Sequence, residues 1–234
     1  MIETKKPEVY SIAAHRGFAD ALVSGILPRY SKKHVGLAEL TLILPSARAA
    51  MSVRESFIRY AGMNGFDGLL MPRMVMVGDH DLDQSLGSLF DPMGDSSTLP
   101  ATNPLRRCFE IGNILSEVLK KEGQKVDDEA TLLRLAKQFG DTLDRLLAEG
   151  ISFQDFFSDR VIGTNQALAK HWQDGTRIFA MTYANWQAKL KQRGEVDLAV
   201  RRNQLFEQTS RRWHANPPKS PVIAAGVTGA APSL

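Results

Sequence analysis

Apolar positions along the first eighty or so residues switch repeatedly between two periods. Val9, Tyr10 and Ile12 make a short apolar run that predicts a buried strand, and Ala19–Leu27 then carries apolar residues at helical spacing. ELTLILP, Glu39–Pro45, predicts a second apolar strand. SARAAMSVRESFIRYAG follows it, with Ser46 placed as an N-cap and Ala49, Val53, Phe57 and Tyr60 along one face, until Gly62 and Gly65 end the helix. LLMPRMVMVGD then reads as extended, and Pro72 assigns it to an edge or irregular strand. Strand–helix–strand–helix at this spacing predicts a parallel α/β sheet.

The pattern changes at Asp79. DHDLDQSLGSLFDPMGDSSTLPAT, ending at Thr102, is rich in Asp, Gly, Ser and Pro and predicts a long surface connection. From residue 103 to about 216 the apolar spacing is helical almost throughout. Asn103 and Pro104 start a helix that stops near Gly123. Asp127 or Asp128 caps the next, whose stripe of Leu132, Leu135, Phe139, Leu143, Leu146 and Leu147 ends at Gly150. Gln166 to Arg193 carries Leu168, Trp172, Phe179, Trp186 and Leu190, with Gly194 as its stop, and a last helix runs from about Val196 to Asn216. The aromatic residues of this region are expected in the core, not on a base-stacking platform. PVIAAG, Pro221–Gly226, then returns to a strand pattern, and a sheet re-entered so close to Leu234 predicts a truncated chain.

Composition narrows the function classes. With 43% hydrophobic and 24% charged residues, the chain has the balance of a globular protein able to bury a core. No run approaches the ~18 apolar residues of a membrane span, and MIETKKPEV has no apolar stretch behind its lysines. No membrane partner is expected. The single cysteine, Cys108, excludes an internal disulfide and a cysteine-rich metal cluster, which fits a reducing cytoplasm. A formal charge of +3 leans basic, but a solvated surface can account for it. Asp79, Asp81 and Asp83 alternate as in a calcium loop, yet Gln84 and Phe90 stand where that loop needs Gly and Glu, leaving an acidic turn.

One stretch has the outline of a phosphate-binding loop without its chemistry. Laid over G-x-x-x-x-G-K-[ST], Ile12–Ala19 keeps only Gly17. Ile12 replaces the first glycine, Phe18 the lysine that would reach the phosphates, and Ala19 the magnesium-binding hydroxyl. No cofactor is expected there.

The order and spacing of VYSIAAHRGFADAL, LTLILPSARAAMSVRESFIR, LLMPRMVMVGDHDLD, AKHWQDG and PVIAAGVTGAAPS resemble the N-terminal part of the AddB family, in its alphaproteobacterial form. That family supplies a subunit of the AddAB helicase–nuclease, which processes DNA double-strand breaks for recombination. The resemblance implies a RecA-like, superfamily 1 helicase-like parallel sheet with a large all-helical insertion. On that basis 1–80 is the first half of the α/β domain with its degenerate P-loop, and 81–102 the surface connection. Residues 103–216 are then the insertion, and 221–234 the returning strand. Val222–Ala225 then lies at the Walker B strand, with Ala225 and Gly226 replacing its Asp-Glu pair. No Asp or Glu occurs between Pro221 and Leu234, so the magnesium-holding and water-polarising carboxylates are both missing. The resemblance further implies DNA and an AddA-type motor subunit as partners, with the nuclease motif and iron–sulfur cysteines downstream of this segment.

ILPSARAA is similar to the helicase motif Thr-Asn-Lys-Ala-Ala, which contacts single-stranded DNA. Ser46 matches the threonine, Ala47 replaces the asparagine, and Arg48 takes the lysine position. A hydroxyl and helix N-terminal amides with a cation nearby can hold a phosphate. Equally, Ser46 can be only an N-cap and Arg48 only a solvated residue. Arg201, Arg202, Arg211 and Arg212 are expected on a solvated helix face, and His15 and Arg16 on a surface loop open to an anion or a partner. His171 is expected to be structural, and His34, His80 and His214 show no zinc-ligand spacing. Three readings stay open: a DNA-handling scaffold with an inactivated motor fold, a small α/β enzyme with an unrecognised nucleotide site, and a scaffold for protein partners only.

Overall fold

The structure, a computed structural model, describes residues 7–30, 36–65, 68–77, 98–124, 128–151 and 166–227, with the side chains of 166–173 excepted. The described residues form a mixed α/β fold of six helices and three strands. In chain order these are α1 (Phe18–Tyr30), β1 (Thr41–Leu44), α2 (Ala47–Met63), β2 (Arg73–Met76), α3 (Pro104–Lys121), α4 (Glu129–Ala148), α5 (Gln166–Arg193), α6 (Leu198–Ala215) and β3 (Val222–Ala224). They fall into two units, one holding α1, α2 and the three strands, the other α3 to α6.

In the first unit the strands make one parallel sheet in the order β2-β1-β3. Leu42 lies opposite Met74 on one side and Ile223 on the other. All four residues of β1 are buried, as expected of a central parallel strand covered on both faces. Leu42 and Leu44 join Val23, Ile26 and Leu27 of α1 and Val53 and Phe57 of α2 in one apolar cluster, flanked by Met74, Met76 and Ile223. The α2 helix starts at Ser46, whose side chain accepts from Ala49 N, and stops where Gly65 takes φ +68°, a conformation that glycine adopts freely.

No strand forms at Val9–Ile12, contrary to the apolar pattern. Val9 is 91% and Tyr10 61% exposed. Among the described residues the sheet's ladder joins only β1, β2 and β3, and this run has no ladder partner. Tyr10 instead lies beneath the Arg29 guanidinium, 4.5 Å from ring centre, and donates its hydroxyl to Glu8. Helix α1 also passes through Pro28 to Tyr30, with Arg29 Nη1 donating to the Gly25 carbonyl at 2.8 Å in the last turn.

In the second unit Ile111, Leu115 and Val118 of α3 pack with Ala136, Phe139 and Leu143 of α4 and Trp186 and Leu190 of α5. Phe139 and Phe179 have ring centroids 4.5 Å apart and Trp186 and Phe206 are buried, so these aromatic residues serve packing, whereas Phe109 is 52% exposed. Asn103 and Asp128 cap α3 and α4. A buried charge cluster lies beside the apolar core. Arg107 Nη1 donates to Asp144 at 2.7 Å, and its Nε lies 2.9 Å from Asp197 Oδ1. The Trp186 indole also donates to Asp197, at 3.1 Å. Burial pushes the Asp197 carboxyl up, against Arg107 and the indole, which favour its charged form. Burial alone would lower Arg107, but the Asp144 hydrogen bond and the charges of Asp197, Asp144 and Asp141 hold it above its ordinary value.

The arginines of α6 do not form the solvated face their spacing suggested. Arg202 is buried, and burial draws its guanidinium down against the charges of Asp144 and Glu149. Arg201 donates to the Leu99 carbonyl, Arg211 pairs with Glu207, and Arg212 donates to Thr209. Only Arg211 is a freely solvated pair, with 80% of its side chain exposed.

Replacing Arg107 by Met strands Asp144 and Asp197 without their shared cation. Urea unfolding should show a loss of about 3–5 kcal/mol. A loss below ~1 kcal/mol would mean that the two carboxylates do not depend on it.

Candidate functional site

Parallel sheets of this kind gather their chemistry outside the carboxyl ends of the strands. At that edge Ala225 N donates to Ile43 O at 2.9 Å and Val77 N to Leu44 O at 3.0 Å. The turns at Pro45–Arg48 and Ala225–Gly226 therefore leave neighbouring strands at the same end.

The loop Ile12–Ala19 is tied by a hydrogen bond from Arg16 N to Ala13 O, and Ala21 N to Gly17 O opens α1. Ile12 and Ala19 are half-buried, while Gly17 and Phe18 are exposed. The ring of Phe18 reaches Gly226. A Cβ built on Gly226 would stand 2.9 Å from Phe18 Cζ, closer than real Cβ atoms approach, and 3.2 Å from Cε1, so the ring would have to shift. Gly226 also takes φ +68°. The left-handed backbone favours glycine at that position, and a side chain there would also have to displace the Phe18 ring.

The contact joins the two positions aligned above with a catalytic lysine and a catalytic carboxylate. Both are apolar, and Ala225 beside them belongs to the sheet's apolar cluster. An aromatic edge against a backbone offers neither a cation for a phosphate nor an oxygen ligand for magnesium. Among the described residues no group of three or more His, Cys, Asp or Glu side chains could hold a metal ion. Asp79, Asp81, Asp83, His34 and His80 lie outside the described residues, as does the side chain of His171.

Ser46 and Arg48 sit at the start of α2. Ser46 is half-buried with extended backbone, φ −159° and ψ 164°, and its Oγ accepts from Ala49 N at 3.2 Å. Arg48 is exposed and makes no ion pair among the described residues. The first turn of α2 carries no acidic residue. A lone cation at the positive end of a helix dipole is unfavourable unless an anion joins it. The geometry fits an N-cap with phosphate-binding capacity.

Sequence reading missed a clamp between α1 and α2. Asp20 Oδ1 accepts from the buried Ser56 hydroxyl at 2.5 Å and from Arg59 Nη2 at 2.6 Å. The Ser56 hydrogen bond, then the Arg59 guanidinium, hold Asp20 below the usual carboxylate range. Ser56 falls one position before the core residue Phe57, so apolar spacing alone gave no signal for it. Beside the clamp opens a groove of about 430 Å³ lined by Arg16, Asp20, Ser24, Arg59, Tyr60 and Met63.

Comparison with protein-family models, curated proteins and solved structures found no match for this chain. No helix among the described residues is long and apolar enough to cross a membrane.

The Phe18–Gly226 contact can be tested by a double-mutant cycle in urea. Gly226→Ala should destabilise by about 1–3 kcal/mol from backbone strain and the clash. With Phe18→Ala already present, the same change should cost at least ~0.5 kcal/mol less. Additive costs would place the ring away from Gly226.

Proposed function

We propose that this chain is a DNA-holding scaffold, the N-terminal segment of an AddB-type subunit in double-strand break repair. In this reading the three-stranded sheet is part of a RecA-like motor fold, and the helices α3 to α6 are its insertion. The observation that carries the proposal is the Phe18–Gly226 contact, two apolar residues at the two halves of one former nucleotide site. Beside it, Ser46 and Arg48 keep the anion-binding character of a helicase DNA contact.

The fold then serves position instead of turnover. The α2 N-terminus holds a backbone phosphate through Arg48 and exposed amides, and an AddA-type motor subunit in the cytoplasm supplies movement. The competing reading as a small nucleotide-dependent enzyme needs an acid, base or metal ligand near the strand ends. At Ala13–Gly17, Pro45–Arg48 and Ala225–Thr228 the sequence places no carboxylate.

A phosphate contact carries charge and little base information, so binding should be sequence-tolerant and fall steeply with salt. Fluorescence anisotropy with two unrelated single strands at several salt concentrations measures both. Arg48→Ala should weaken the two strands about equally and flatten the salt slope by roughly one unit. No change in affinity or slope, with the fold intact, would make the turn a structural cap and favour a scaffold for proteins only.

A further inference from the structure

We infer that the groove between α1 and α2 is a second contact for the same single strand. It would take a backbone phosphate between Arg16 and Arg59 and the adjoining base against Tyr60 and Met63. The inference rests on the DNA-holding reading but on different residues. Arg16 is exposed and has no partner among the described residues, although it lines the groove directly. Arg59 pairs through Nη2 with one oxygen of Asp20 and keeps 53% of its side chain exposed. Ser56 gives its hydroxyl to that same oxygen, so Asp20 is held in place and its charge is shared. Two guanidinium groups face one carboxylate, and the groove is net positive. Tyr60 and Met63 add the apolar wall that a base needs and a free phosphate does not.

The position along α2 sets the reach. Arg48 and Arg59 fall on nearly the same line of the helix, about three turns and ~16 Å apart. That span matches about five nucleotides at the ~3.4 Å spacing of a stacked strand. Glu55 lies exposed between them and repels the backbone there, which concentrates contact at the two ends. A strand anchored at Ser46–Arg48 therefore engages the groove only when it is long enough.

The test is anisotropy with single strands of about four and about ten nucleotides. Arg48→Ala should weaken both. Arg16→Ala should weaken only the longer strand, by about three- to tenfold, and lower its salt slope by roughly one unit, while Arg16→Lys retains most of the affinity. An unchanged thermal melt guards against a folding defect, which an exposed, unpaired Arg16 makes unexpected. If Arg16→Ala leaves the longer strand unaffected while Arg48→Ala weakens it, the groove is overturned and the anchor stands. If Arg16→Ala weakens both lengths equally, the two contacts do not share one strand, and the inference fails. Loss with Arg16→Ala but none with Arg48→Ala removes the anchor and with it the shared path.

Discussion

The first unit depends on a strand of four residues with no exposed side. Thr41 to Leu44 are all buried, flanked by β2 and β3 and covered by Leu27, Val53 and Phe57 on the face that carries Leu42 and Leu44. With both ladder positions of β1 occupied, every residue that leaves the sheet does so at an end. That is where the turns at Ser46 and Gly226 leave the sheet. Val9 and Tyr10, apolar but without a ladder partner, stay exposed.

What stands at the carboxyl edge is a packing contact. The Phe18 ring against Gly226 leaves no room for a side chain at one position and provides no charge at the other. The nearby start of α2 has the opposite character, with a capped helix end, no acid in its first turn and an exposed arginine. An edge with no nucleotide-hydrolysing groups and an exposed cation at a helix start fits the proposed scaffold reading. The Asp20 clamp contributes by tying α1, which carries Phe18, to the helix that carries Arg48.

Much of this was legible in the sequence wherever local chemistry decides the outcome. Ser46 and Asn103 act as the caps their positions announced, Asp128 is the cap of the two candidates Asp127 and Asp128, and Gln166–Arg193 forms the long helix its spacing predicted. The parallel sheet also followed from alternation of strand and helix, with Pro72 just ahead of an edge strand. Features that depend on distant partners were not legible. Val9 and Tyr10 have strand-like composition, but pairing is a property of the whole sheet. Arg202 looked like a surface cation because its burial depends on residues of other elements, Asp144 and Glu149 among them. That Phe18 and Ala19 are not the lysine and hydroxyl of a P-loop was legible, but the contact of Phe18 with Gly226 joins residues far apart in the chain.

The most direct measurement is a calorimetric titration of the chain with magnesium-ATP. With Phe18 against Gly226 and no carboxylate at the neighbouring turns, the titration should show no micromolar affinity and no dependence on magnesium. Micromolar affinity that requires magnesium would contradict it, because such binding needs a carboxylate for the metal that the turns at Pro45–Arg48 and Ala225–Gly226 do not carry.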